Sequence, residues 1–124
     1  MSNPGLVKNY LAGAAIAAYR IVKWSDADGK VVQAAASTDA LIGVADNLGI
    51  ASGARGDIIR SGLAEVEYGG NVTRGDWLTA DADGKAVAAA PAAGVNANVI
   101  GRAEVSGVAG DIGLVAIAPG RIQG

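Results

Sequence analysis

Asp26-Ala27-Asp28-Gly29-Lys30 recurs letter for letter as Asp81-Ala82-Asp83-Gly84-Lys85, 55 residues further along the chain. Two more stretches return in the same order: Ile42-Gly43-Val44-Ala45-Asp46 as Ile100-Gly101-Arg102-Ala103-Glu104, and Gly53-Ala54-Arg55-Gly56-Asp57-Ile58 as Gly107-Val108-Ala109-Gly110-Asp111-Ile112. The recurring residues are rich in Gly and Asp, which supply the backbone freedom and local hydrogen bonds that turns need. The sequence therefore predicts two related halves, with pseudo-repeats over about 17–69 and 70–120.

The length of the chain limits how these halves are organised. At 124 residues the chain is most simply one domain. A half of about 55 residues buries too little surface to be a confident independent folding unit, so we expect the two halves to share one core. We assign residues 13–124 to a single β domain. Residues 1–12, where Pro4 cannot donate to a strand ladder, are assigned to an extended N-terminal arm.

Strand signals dominate the rest of the chain. Short runs rich in Val, Ile and Ala alternate with Gly and Asp turns at intervals of about 8–12 residues, which is typical of sandwiches and barrels. We predict an all-β fold, a small sandwich or barrel of short antiparallel strands. The predicted strands cover about 17–24, 31–34, 41–45, 58–60, 64–68, 77–79, 86–88, 98–105 and 112–117. The segments 11–18 and 34–41 also allow a helical interpretation, from their Ala content or a Ser-Thr-Asp cap signal.

The composition excludes several function classes. The chain has no Cys and no His, so it has no thiolate chemistry and lacks the commonest general base and metal ligand. Lys and Arg number 10 against 12 Asp and Glu, and no basic run marks a nucleic-acid surface. The apolar run from Leu11 to Tyr19 is too short to span a bilayer. We expect no enzymatic activity, cofactor, metal or small-molecule substrate, and neither nucleic acid nor membrane as a partner.

Bulky side chains are scarce, with no Phe, two Trp and three Tyr against 19 Gly. Small apolar side chains each remove little surface from water, at about 25 cal/mol per Å², so we expect a thinly filled core. The mean hydropathy is nonetheless positive. Together these features predict apolar surface that a partner or a second copy covers.

Two pairs of residues offer alternative functions. Glu65 and Glu67 lie two apart on a predicted strand and share a face, which is compatible with glycoside hydrolysis and equally with acids paired to Lys or Arg. Trp24 and Trp77 could stack on sugar rings if they are exposed. Because a Trp near a strand end more often caps a small core, we expect burial in the core or in an interface.

The repeated acidic stretch has two interpretations. Asp26 with Asp28, or Asp81 with Asp83, could hold a hard cation, but a calcium loop needs more oxygen ligands and a distal Glu. We expect a hairpin turn with two solvated acids instead.

The tripeptide of adhesion ligands also occurs twice, as Arg55-Gly56-Asp57 and Arg74-Gly75-Asp76. What recurs in the chain is Gly-Asp ahead of an apolar strand. This is turn chemistry, in which Gly gives backbone freedom and Asp bonds nearby amides.

Several phrases of the sequence resemble the small decoration, or cement, proteins of tailed-bacteriophage capsids. They are Leu41-Ile42-Gly43-Val44-Ala45-Asp46, Gly56-Asp57-Ile58-Ile59-Arg60-Ser61-Gly62-Leu63-Ala64-Glu65-Val66, Val72-Thr73-Arg74-Gly75-Asp76-Trp77-Leu78-Thr79-Ala80-Asp81 and Val99-Ile100-Gly101-Arg102-Ala103. With the length, the absence of Cys and the extended polar start, the resemblance covers roughly residues 15–118. It implies a non-enzymatic β-rich virion protein that binds the outer capsid surface, braces contacts between capsomers of the major capsid protein, and forms homotrimers or, in some cases, dimers.

The resemblance also implies where the protein acts, on the outside of the virion after synthesis in the host bacterial cytoplasm. We expect the N-terminal arm to contact the capsid or a neighbouring subunit. The candidate interface residues are Asn3, Pro4, Leu6, Val7, Tyr10 and Leu11. The alternative function is a carbohydrate- or receptor-binding β module of a phage tail or cell surface.

Overall fold

A computed structural model describes residues 3–124, and every regular element in that part of the chain is a β-strand. The strands are β1 (Asn3–Pro4), β2 (Val7–Ala12), β3 (Ile21–Trp24), β4 (Lys30–Gln33), β5 (Leu41–Ala45), β6 (Arg55–Ile59), β7 (Gly62–Glu67), β8 (Trp77–Ala80), β9 (Ala86–Ala88), β10 (Asn96–Ala103) and β11 (Ile112–Gln123). The predicted all-β class is confirmed, and neither 11–18 nor 34–41 is helical. Among residues 3–124 there is no helix that could cross a membrane.

The first half of the chain folds into a closed barrel, in the order β2-β4-β3-β5-β6. Neighbouring strands are antiparallel except at the pair that closes it, where β2 runs parallel to β4 with Leu11 opposite Lys30 and Ala12 opposite Val31. The small barrel predicted from the short strands is therefore present in this half.

The second half forms most of a six-stranded sheet, in the order β1-β7-β11-β10-β8-β9. Without β1, this is the order of the first half, with β7 to β11 standing for β2 to β6. The loop bonds repeat as well. Ile16 and Ile50 exchange two backbone hydrogen bonds of 2.8 Å, and Val72 and Gly107 exchange two of 2.9 Å. The two halves therefore share one topology.

In the third repeated stretch, the residues that correspond in structure are not those that correspond in the sequence match. Gly53 and Gly110 both have positive φ, +80° and +92°. The Gly53 N–H donates to Ala12 O and the Gly110 N–H to Tyr68 O, at 2.9 Å each. The structural partner of Gly53 is thus Gly110, three residues beyond the Gly107 that the matched letters pair with it.

Residues 7–12, which the sequence pattern assigns to an arm, form strand β2 of the barrel. The side chains of Tyr10 and Ala12 point inward and are 2% and 1% exposed. Polar residues between them and the Pro4-Gly5 break hide this alternation in the sequence. Of the arm residues that the structure describes, only 3–6 lie outside the barrel, and β1 pairs there with Gly62 and Leu63 of β7.

The last strand also departs from its predicted end. The sequence predicts that Pro119 and Gly120 stop the strand, yet β11 continues to Gln123, with Val99 opposite Gly120 and Ala97 opposite Ile122. No strand of the described chain pairs with the other edge of β11 beyond Ile117. A Pro is tolerated at such an edge because no ladder bond is lost there.

The two halves share buried contacts. One cluster lies within the first barrel and consists of Tyr10, Ala12, Ile16, Val22, Val31, Ile42, Ala45, Ile50 and Ile58. The other spans both halves and consists of Ile21, Ala34, Leu41, Val44, Ile59, Ala64, Val66, Tyr68, Val72, Leu78, Ala80, Ala86, Ile100, Ala103, Val115 and Ile117. Burial of the outer side of the barrel thus depends on the second half.

Candidate docking surfaces and the joint between the halves

The predicted interface residues are divided by the structure. Pro4, Leu6 and Val7 are exposed, Leu6 by 53% and Val7 by 41%. Leu11 is half-buried, and Tyr10 is buried in the barrel. The backbone of Asn3 pairs with Leu63, and its side chain lies outside the described structure. Leu6 and Val7 therefore remain as a surface that could meet a partner, whereas the ring of Tyr10 is already enclosed.

Trp24 lies beside the N-terminal segment in a cluster of aromatic and cationic groups. The ring of Tyr10 meets the indole edge-on at 5.5 Å between centroids. The Arg60 guanidinium lies 5.4 Å from the Trp24 ring, and its Nη1 donates to the Tyr10 hydroxyl at 2.9 Å. The Arg60 N–H donates to Leu6 O at 2.8 Å, which ties the exposed segment to the cluster.

Trp77 has a similar cationic neighbour in the second half. The Arg102 guanidinium lies 5.0 Å from the indole ring, and its Nε and Nη2 donate to Gly75 O at 3.1 and 3.0 Å. The two tryptophans are 40% and 38% exposed. Neither indole is buried in the core, since each lies partly exposed beside an Arg guanidinium, and burial in an interface stays a prediction.

The two halves join where residues 19–21, which lead into β3, insert into the second half. The segment Tyr19–Ile21 lies between β7 and the turn before β9. The Glu67 N–H donates to Tyr19 O at 3.0 Å, and the Ile21 N–H donates to Gly84 O at 2.8 Å. In consequence, β7 and β9 meet only at one parallel bridge, Tyr68 to Ala86. The second half remains an open sheet for this reason.

Charged side chains hold the same joint. Glu67 pairs with Arg20 at 3.1 Å and with Lys85 at 3.2 Å. Burial opposes ionisation of Glu67, but the hydrogen bonds and charges of the two cations outweigh it and lower the pKa of that carboxyl. The Arg20 Nη1 also donates to Asp83 O at 3.2 Å. Glu67, offered by the sequence as one of two candidate catalytic acids, thus holds the halves together.

Tyr68 fills the interior of the second half. It is fully buried, and its hydroxyl donates to Val105 O at 2.8 Å. Burial and the nearby Asp111 charge raise the pKa of the phenol. A methyl group at Gly113 would overlap the tyrosine ring, and one at Gly107 would lie 2.8 Å from it. These two glycines are therefore the space into which the ring packs.

The repeated acidic stretch is a hairpin turn in both halves, with different capping residues. The Asp81 Oδ1 accepts from the N–H groups of Asp83 and Lys85 at 2.8 and 2.9 Å. In the first half Ser25 has this position, because its N–H donates to Lys30 O as that of Asp81 does to Lys85 O. The identical letters therefore occupy turns that differ by one residue.

The two adhesion-like tripeptides also have structural roles. Arg55-Gly56-Asp57 begins β6, where the Arg55 Nε donates to Asn9 Oδ1 at 2.6 Å. In the second tripeptide, Asp76 Oδ2 accepts from the Thr73 N–H at 2.9 Å, which closes the turn before β8. The turn interpretation fits Asp76, whereas residues 55–57 are already strand.

An apolar loop that the sequence analysis missed lies at one end of the second half. Val105, Val108 and Ile112 are exposed. The first-half counterparts of Val108 and Ile112 are Ala51 and Arg55, since the Asp111 N–H donates to Val108 O as the Ala54 N–H does to Ala51 O, both at 3.0 Å. Because the same backbone carries Ala51 and Arg55 at these two positions in the first half, the fold does not require Val108 and Ile112 to be apolar. The contrast could have been found by aligning the halves with the structural offset.

Comparison with known proteins shows a likeness in fold. No family model matches the chain, and no curated protein matches it significantly. Among solved structures, the chain is similar in fold to the head fiber gp8.5 N base in bacteriophage phi29, with a TM-score of 0.67 and 22% sequence identity over 91% of this chain and 93% of that one.

Proposed function

We propose that this chain is a structural protein of a bacteriophage head, which binds the outer surface of the capsid, stabilises contacts between capsomers of the major capsid protein and associates with copies of itself, as a homotrimer. It is made in the cytoplasm of the host bacterium and acts without enzymatic activity or a cofactor. The observation that carries the proposal is the fold shared with a head fiber base over nearly the whole of both chains.

The surface of the molecule supports a docking role. Exposed apolar side chains gather at the N-terminal segment, in Leu6 and Val7, and at the loop that carries Val105, Val108 and Ile112. Many copies on a lattice can be held by modest individual contacts, because each bound copy strengthens the placement of its neighbours. A protein built this way needs surfaces rather than a pocket.

A second candidate is a carbohydrate- or receptor-binding module, favoured by the partial exposure of Trp24 and Trp77. Sugar rings bind by stacking on an open indole face. An Arg guanidinium already lies on each ring, so a sugar would have to displace it. The capsid proposal needs no such displacement.

The test is binding to shells assembled from the major capsid protein of the phage that encodes this chain. Purified chain is incubated with expanded, undecorated shells and separated on a density gradient, and bound copies are counted. We expect saturable binding at a fixed number of sites on the outer surface. Shells that stay bare in an excess of folded chain would refute the proposal, and specific retention on a glycan array would favour the second candidate.

Three matched variants identify the binding face. Leu6→Asp tests the N-terminal segment, Val108→Asp tests the apolar loop, and Ala51→Asp places the same change at the structural counterpart of Val108. We expect Leu6→Asp or Val108→Asp to weaken binding about tenfold or more, since the charge must be desolvated. Ala51→Asp should bind as the parent chain does.

A further inference from the structure

The joint inside the chain has a seam and an insert. The seam is the gap between Glu67 and Gly84, and the insert is the segment Tyr19–Ile21. Two backbone bonds join them, Glu67 N–H to Tyr19 O at 3.0 Å and Ile21 N–H to Gly84 O at 2.8 Å. Ile21 is thereby fully buried.

The first half carries the same seam without an insert. The counterpart of Gly84 is Gly29, whose φ of +71° matches the +73° of Gly84. The counterpart of Glu67 is Leu11, because Gly13 donates to Val31 O as Gly69 donates to Ala86 O, at 2.9 and 2.8 Å. Here the seam is closed, because Leu11 pairs with Lys30 in the parallel β2–β4 ladder and its N–H donates to Gly29 O at 3.1 Å.

The second half carries the same insert without a seam to enter. Ala103 N–H donates to Asp76 O at 2.9 Å, as Ala45 N–H does to Arg20 O at 2.8 Å, so Gly75–Trp77 corresponds to Tyr19–Ile21. The described chain has no bond from the Trp77 N–H that would correspond to the bond from Ile21 N–H to Gly84 O. The Trp77 side chain is 38% exposed, whereas its counterpart Ile21 is fully buried.

We propose that the segment Gly75–Trp77 of one copy inserts into the seam between Leu11 and Gly29 of a second copy, and so repeats between chains the joint found within the chain. Trp77 N–H then donates to Gly29 O, and Leu11 N–H donates to Gly75 O. The Leu11–Gly29 bond is given up, and Arg102 leaves Gly75 O. The contact is head-to-tail, which closes into a ring or continues as a filament.

The segment 75–77 and the seam between Leu11 and Gly29, which have no partner of this kind within the chain, carry complementary charges. Within the chain, Arg20 of the insert meets Glu67 of the seam, beside Lys85. In the unused pair, the insert has Asp76 in place of Arg20. The seam has Leu11 in place of Glu67 and keeps a lysine, Lys30. The insert thus carries a negative charge in place of a positive one, and the seam has lost its acid but kept its lysine. Asp76 of one copy therefore faces Lys30 of the next.

The inference deepens the self-association in the proposed function and rests on that function for its biological setting alone. Sedimentation of the full chain without capsids measures it directly. We expect the parent chain to self-associate and Lys30→Asp or Asp76→Lys to weaken association about threefold to thirtyfold, as expected when an exposed pair becomes repulsive. An equimolar mixture of the two variants should associate again, since each supplies what the other lacks. Arg121→Asp, a charge reversal on β11, is the control.

A parent chain that stays monomeric, or variants that associate as it does, would overturn the inference, and so would a mixture that is not rescued. If a charge variant fails to fold, Trp24→Phe leaves Trp77 as the reporter. Its emission should shift to the blue and lose acrylamide quenching as concentration rises, and an unchanged spectrum in an associating chain would overturn the proposal. If the chain self-associates but leaves the shells undecorated, capsid binding alone is refuted. If the chain stays monomeric and decorates the shells, the inference alone is refuted.

Discussion

The two halves have one topology and reach different end states. In the first half a bond from Leu11 to Gly29 closes a barrel, whereas in the second half Tyr19–Ile21 holds the corresponding seam open. The same strand order thus gives a closed barrel or an open sheet, depending on whether a neighbouring segment enters. The difference lies in one seam rather than in the strands themselves.

The interiors of the two halves place their large side chains at different positions, and a glycine elsewhere makes room for each. In the first half Ile50 packs over Gly56, where an added methyl group would come within 2.5 Å of the isoleucine. In the second half Gly107 replaces Ile50, and Tyr68, the counterpart of Ala12, fills the space over Gly113. The large side chain belongs to the connection before β6 in the first half and to the residue after β7 in the second, and the interior is filled in both, as tight packing requires.

Truncating the large ring should break this compensation most severely. Tyr68→Ala removes a fully buried ring that Gly107 and Gly113 cannot replace, so we expect it to lower the free energy of unfolding by about 3–5 kcal/mol. Tyr68→Phe, which loses only the bond to Val105 O, should cost about 0.5–1.5 kcal/mol. Urea denaturation measures both, and similar losses for the two variants would contradict the packing account.

The paired glycines Gly43 and Gly101 test whether the halves are equivalent in their backbone contacts. An added methyl group at either would overlap a carbonyl oxygen of the neighbouring strand, that of Ile59 or Ala116. We expect Gly43→Ala and Gly101→Ala to cost about 1–3 kcal/mol each, and Gly120→Ala, which meets only ordinary contacts, to change stability by less than about 0.5 kcal/mol. A large cost at one position alone would show that the halves are not equivalent there.

The sequence carries the repeat and the turns well, because Gly29 and Gly84 must adopt positive φ wherever these hairpins form. It misaligns the third stretch by three residues, since a Gly-Asp pair occurs both in β6 and in the turn before β11. The joint was not predictable. It is made by main-chain atoms of Tyr19, Glu67 and Gly84, which leave no mark in composition or periodicity.

The exposed surfaces, too, could be predicted from the sequence only in part. Leu6 and Val7 are exposed, as an interface requires. The sequence groups Tyr10 with them because residues 1–12 show no core-forming pattern next to Pro4, although alternation with Ala12 turns its ring into the barrel. The apolar loop at Val108 became visible only beside its counterpart at Ala51.

The first residue of the segment 19–21 and of its counterpart 75–77 gives a smaller test. Tyr19 has φ of +61°, and Gly75 has φ of +95° at the corresponding position. Because a side chain is strained in this region, Gly75→Ala should cost about 1 kcal/mol, and Tyr19→Gly should change stability by less. Thermal and urea unfolding measure both, and a stabilising Gly75→Ala would contradict the shared geometry.

The acid limb of the stability curve gives the smallest test. The folded pKa of Glu67 lies below its ordinary value of 4.5, so its ionised form stabilises the joint above about pH 4.5 and this contribution is lost as the pH falls through the folded pKa. Glu67→Gln should cost about 1 kcal/mol at pH 7 and little at pH 3. Glu104→Gln, an exposed acid, is the control, and a cost at Glu67 that does not vary with pH would contradict the ion pair.

Cryo-electron microscopy of expanded shells mixed with the purified chain tests the proposed function most directly. We expect added density on the outer surface, at fixed lattice positions between capsomers, into which the closed barrel and open sheet fit side by side. Shells that remain smooth beside an excess of folded chain would contradict it.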